Sequence, residues 1–286
     1  MNSVTTNAPL AGEEAPHALK DDVPPQARIG AILPAALRTV WDRLGLLLGV
    51  SITWGVVVSL PLSIERWLPH GSPMALHFLA LAAMPLLAAL PTAGVFALAH
   101  RIATHQEALY THLWQEGAAL FGPALRLILI QTGAALLLFV ACVFYARMTV
   151  WIGRAGLTVC GYALLLWGMM LIYQWPLLVL QEKGVFDEPE RAARRGAFAA
   201  VRRSFYLALG RPFFTAALLG ILLAASALMA ATVVLSALLW IGAIAVASTF
   251  AARALLIQFR VLPPPVQEEA VPDLQFRLVE RNKTAR

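Results

Sequence analysis

The chain has 286 residues, of which 59% are hydrophobic and only 13% charged, with a mean hydropathy of +0.71. A soluble domain carries about 25% charged residues, and no aqueous core could hide this much apolar surface without leaving large sticky patches, which excludes a water-soluble globule. The net charge of +6 would suit nucleic acid, but the basic residues sit beside apolar runs, as membrane topology and anionic lipid require, so no nucleic-acid partner is expected.

Residues 1–33 are rich in Pro, Ala and acids without periodicity and read as a disordered tail. They contain no apolar run after a basic start, so no cleavable signal peptide is expected. From Pro34 the pattern becomes helical: Ala35, Ala36, Leu37, Val40 and Trp41 share a face, and Arg38, Asp42 and Arg43 lie elsewhere, as in an interfacial lead-in to a first span. The apolar runs then predict six transmembrane helices, at about 44–62, 74–99, 123–145, 156–180, 213–234 and 237–257. Glu65, Arg66, Pro69, His70 and Gly71 read as the exit loop of the first. Pro85 and Pro91 interrupt the second, and a kink or break is expected there because each removes a backbone hydrogen bond. Residues 213–257 hold one charge, Arg253, and are too long for one span, so a turn is placed near residues 235–239. The tail from 259 is charged and follows Pro263, Pro264 and Pro265.

Counting Lys and Arg sets the orientation. With the N-terminus inside, cytoplasmic segments hold seventeen and external loops three, Arg66, Arg147 and Arg154. This predicts both termini in the cytoplasm. The expected fold is thus an all-α polytopic bundle with a six-helix membrane domain at 34–258 and two cytoplasmic amphipathic helices.

The first amphipathic segment, about 104–117, has an apolar wedge of Leu109, Tyr110, Leu113 and Trp114. His105, His112 and Glu116 cluster on another side, but three ligands without a fourth fit interfacial histidines better than zinc. The second covers residues 187–209. Asp187 and Glu190 have capping-box spacing around Pro189, and Ala197, Phe198, Val201, Phe205 and Ala208 form a stripe beside Arg191, Arg194, Arg195, Arg202 and Arg203. It reads as a basic helix on the anionic inner leaflet. Enforcement of topology by the arginines, or docking on another membrane protein, are the alternatives.

Inside the spans the notable polar groups are Arg126, Gln131, Gln174 and Arg253. Both arginines lie close to the cytoplasmic ends, where their stems can snorkel, and the glutamines suit interhelical hydrogen bonds. Gly45, Gly49, Ser51 and Gly55, and Ala216, Gly220 and Ala224, have the small-xxx-small spacing that allows close helix approach. Cys142 and Cys160 fall within apolar spans and read as small hydrophobes. No zincin, nucleophile-elbow or P-loop pattern occurs, so neither enzymatic activity nor a cofactor or metal is expected.

Several short motifs occur in order: Ser59-Leu60-Pro61, then Leu90-Pro91-Thr92-Ala93-Gly94-Val95-Phe96 with the basic exit His100-Arg101, and later Arg202-Arg203-Ser204-Phe205. With them the chain resembles the YesL-like family of small bacterial membrane proteins over about residues 35–257. It departs from that family at Leu90, where Gly usually precedes the proline, and in its long tails. The resemblance implies a bacterial cytoplasmic membrane protein of no established activity, suspected of serving carbohydrate uptake, and carries over no functional residues. The leading expectation is therefore a non-enzymatic accessory or assembly factor for a transport system. The alternative is a small transporter or channel using the Pro85/Pro91 break.

Overall fold

The structure is a computed structural model that describes residues 28–69, 73–185, 196–231 and 233–262. The described residues form nine helices: α1 Ile29–Asp42, α2 Leu44–Trp67, α3 Met74–Ala103, α4 Thr111–Ala119, α5 Phe121–Ala146, α6 Trp151–Glu182, α7 Ala197–Gly210, α8 Pro212–Ala231 and α9 Val233–Gln258. Five are long and apolar enough to cross a membrane, and α7 with α8, bent by 105°, forms a broken sixth candidate. The chain is a multi-pass helical membrane bundle.

Helices α3 and α6 are the longest, with 30 and 32 residues. Both are most deeply buried in their C-terminal halves. Every residue of α3 from Pro91 to His100 is buried, as is every residue of α6 from Ile172 to Gln181. Helix α3 is central, touching α2, α4, α5, α6 and α9, while α4 packs on α3 and α7 on α6.

The three helices that finish at this end stop in the same way. Gln106 N–H reaches the carbonyl of Arg101 on α3, Val185 that of Leu180 on α6, and Val261 that of Leu256 on α9. The residue before each donor adopts positive φ: His105 at 55°, Gly184 at 74° and Arg260 at 56°. These are Schellman caps, and only α6 uses the glycine that the left-handed conformation favours.

Several expectations are corrected. Helix α1 begins at Ile29, not Pro34, because Ile29 and Ile32 pack onto the core beside the buried Ala36. Helix α2 carries through Arg66 to Trp67, where a loop was expected. Helix α3 is one helix through both Pro85 and Pro91, with no break. Each proline costs one hydrogen bond, but packed neighbours hold the helix together, and Pro91 is itself buried. Helix α9 starts at Val233, so the predicted turn at 235–239 is helical.

The second amphipathic helix starts at Ala197, because Gly196 has φ 120° and ψ −179°, a conformation essentially restricted to glycine that interrupts any helix from 187. Asp187, Glu190, Arg191, Arg194 and Arg195 lie outside the described residues, as do most of both tails.

Close approach occurs at glycines other than those singled out by spacing. A Cβ on Gly45, Gly49, Gly55 or Gly220 would meet nothing, whereas one on Gly94 would collide with the Leu113 carbonyl and one on Gly117 would sit 2.6 Å from the Leu90 carbonyl oxygen. Thus α4 lies with its backbone directly on α3. Gly117→Ala should lower stability by about 1–3 kcal/mol through overpacking, measured by melting in detergent. Gly161→Ala, which faces open space, should change it by less than about 0.5 kcal/mol.

Candidate functional site

Two features stand out, a polar cluster in the capped end and a cavity beneath it. The cluster forms where α3, α4 and α6 meet. Arg101 Nη1 donates to Glu116 Oε1 at 2.8 Å, and Lys183 Nζ lies 2.6 Å from Glu116 Oε2. Arg101 Nε also donates to the Glu107 carbonyl at 2.9 Å, which pins the α3–α4 loop. Burial pushes the Glu116 carboxyl up, but hydrogen bonds from Lys183 and Arg101 outweigh it and hold the group below the ordinary carboxylate range.

Beside this lock His100 is only 6% exposed, its Nδ1 lacks a partner among the described residues, and Arg253 and Lys183 lie within electrostatic reach. Thus Arg253 belongs to the capped end, next to the last turns of α9. Arg126 is exposed on the first turns of α5, where its stem can carry the charge outward.

Glu116 therefore serves as a joint between helices. His112, expected beside it, accepts the Leu109 N–H through Nδ1 at 3.1 Å. No three His, Cys, Asp or Glu side chains gather to hold an ion among the described residues. The predicted wedge is split: Leu113 is buried on α3, whereas Leu109, Tyr110 and Trp114 are exposed, with Tyr110 hydroxyl 2.6 Å from Thr53 Oγ1 of α2.

Helix α7 packs on α6 through small residues. Its buried stripe is Ala197, Ala200, Ser204, Leu207 and Ala208, while Phe198, Phe205, Tyr206 and Leu209 face outward. The Gln181 carboxamide is satisfied when its oxygen faces α7, accepting from Arg203 Nη1 at 3.2 Å and the Ala200 N–H at 3.3 Å. Ala208 packs on Met169 and Met170, about three turns earlier on α6. So α7 runs back along the C-terminal half of α6. Small residues let the helix backbones approach, and the bulky ones are left on the outer face.

Below the cap lies a cavity of about 710 Å³ between α2, α3, α5, α6, α8 and α9. Aromatic side chains Trp54, Phe96, Trp175 and Trp240 line it, with Pro85 in one wall. Phe96 and Trp175 stack at 5.6 Å in its lining, one turn from His100 and Val179. Its polar lining is sparse and largely occupied. Trp54 Nε1 donates to Thr92 Oγ1 at 2.8 Å, and Gln131 Nε2 donates to Gln174 Oε1 at 2.7 Å, joining α5 to α6. No charged side chain lines it among the described residues.

Fold and site together define a multi-pass helical membrane protein. No protein-family model, curated protein or solved structure matches the chain.

Because the Glu116 carboxylate is favoured in the folded state, its stabilisation is present above the unfolded-state pKa and is lost as pH falls through the lower folded-state value. Melting temperature in detergent should therefore drop on acidification below about pH 4. Glu116→Gln should flatten that part of the profile and cost about 1–3 kcal/mol at pH 7. An unchanged acid limb in Glu116→Gln would count against the lock.

Proposed function

We propose that this chain is a non-enzymatic accessory or assembly subunit of a transport system in the bacterial cytoplasmic membrane, its capped end and both termini in the cytoplasm. The outer face of α7 carries this reading. Small residues fix the helix to α6, leaving Phe198 77% exposed beside Arg202, Phe205 and Tyr206. Arg202 sits over the Tyr206 ring at 5.8 Å, so aromatic and basic groups form one outward surface. Such anchors are what helix-docking surfaces present to a protein partner. The count of basic residues and the resemblance to the YesL-like family support the same orientation and role.

A photo-crosslinking residue at position 198, used in native membranes, should give a discrete adduct with a membrane subunit of a transporter, identified by mass. The same residue at position 137, on the lipid face of α5 where Leu137 is 71% exposed, should give lipid adducts only. Lipid adducts alone at both positions would contradict the proposal.

The cavity beside Pro85 favours a second reading, a small transporter. Against it, α3 is unbroken and the cavity lining is uncharged among the described residues. An apolar lining also suits a sugar poorly, since sugar hydroxyls need hydrogen-bond partners. Flux of labelled sugars into proteoliposomes holding this protein alone should stay at background; transport there would reverse the order of the two readings.

A further inference from the structure

The chain has two cysteines, Cys142 on α5 and Cys160 on α6, and the fold brings them together. Both are free thiols, and they share a side-chain hydrogen bond. Cys160 is 6% exposed, whereas Cys142 is half-buried.

Contacts on either side of the pair fix this register. Towards the α5–α6 connection, a Cβ on Gly156 would collide with the Tyr145 ring, so that ring lies directly on the α6 backbone. In the other direction, Gln131 Nε2 donates to Gln174 Oε1. From Tyr145 to Cys142 and on to Gln131, and from Gly156 to Cys160 and on to Gln174, the positions return to one face of each helix. The three pairs form a single antiparallel seam, with the thiols facing each other across it. Glycine at 156 lets the helices approach closely one turn from Cys160, which the short reach of a disulfide requires.

The location also fits. Helix α5 starts beside α4 and α6 returns to Lys183, so the thiols sit towards the end of the bundle opposite Glu116. Arg147 follows α5, about 8 Å along the axis from Cys142. In the orientation proposed above, this end faces away from the cytoplasm, where disulfides form and persist. Helix α5 is the least buried of the five unbroken spans, so a covalent tie to α6 constrains it most.

We propose that Cys142 and Cys160 form a reversible disulfide that ties α5 to α6. The oxidant is the disulfide of a thiol–disulfide oxidoreductase. Cys142, the more accessible thiol, loses its proton and attacks that disulfide, releasing one donor thiolate. Cys160 then loses its proton, attacks the Cys142 sulfur of the mixed disulfide and expels the second donor thiolate. Two electrons and both protons end on the donor, which leaves as a dithiol. The pairing of the thiols stands apart from the proposed function; only their oxidation in native membranes rests on its orientation.

The test uses the full chain in native membranes, with N-ethylmaleimide added at lysis to trap free thiols. Arg147 and Arg154 lie between the cysteines, so non-reducing trypsin digestion separates the two peptides unless a disulfide joins them. Mass spectrometry should find the Cys142 and Cys160 peptides joined, and dithiothreitol should release them. Membranes first reduced, washed and exposed to diamide, a permeant azo oxidant that takes up both thiol hydrogens, should regain the joined species. A displaced pair, Cys142 with Val159→Cys in a Cys160→Ser chain, should stay alkylated, because Val159 is 67% exposed on the lipid face. Two alkylated thiols after diamide, or equal joining in the displaced pair, would overturn the proposal. Joining by diamide, with both thiols alkylated in native membranes, would support the pair and contradict the orientation.

Discussion

The organising constraint is the burial of the C-terminal halves of α3 and α6. Within a membrane every polar group needs a protein partner, and Thr92, His100, Gln174 and Gln181 all lie on these two segments. Residues 91–100 and 172–181 are buried throughout, with α4 packed on α3 and α7 on α6. By contrast, only 11% of the apolar window of α5 is buried inside the protein, which leaves most of it to lipid.

That cap explains why the charges are where they are. Within lipid an ionised side chain is costly, but in a protein-lined junction the Glu116 carboxylate can be met by two cations at once. The lock ties α3 to α4 and to the residue that ends α6, so it fixes α4 to the two helices beside it. The Phe96–Trp175 stack lines the cavity, one turn from His100 and Val179.

How much of this was legible in the sequence depends on which signal each residue carries. A helical membrane bundle with five or six long apolar helices follows from hydropathy, because lipid selects for composition. The deeply buried segments do not, since Thr92, His100, Gln174 and Gln181 break an apolar run without ending the helix, and only their packing shows that they lie inside the protein. The positions of Pro85 and Pro91 suggested a break that neighbouring helices suppress. The apolar stripe of Phe198 and Phe205 gave no sign of the contact with α6, which Ala200 and Ser204 make on another side of α7. The crossing at Gly94 and Gly117 was hidden because the two glycines lie 23 positions apart on different helices, and no spacing rule links them. Arg260 at the end of α9 had no local signal, for it occupies a position that composition would assign to glycine.

The central claim, that α4 and α7 lie at the same end of the bundle and face one side of the membrane, is tested most directly by labelling. Single cysteines replacing Gln115 on α4 and Arg202 on α7, both exposed positions, would be introduced into a chain in which Cys142 and Cys160 are serine. A membrane-impermeant maleimide should modify both from the same side of sealed vesicles and neither from the other. Protection of both from either side, or labelling of the two from opposite sides, would contradict it.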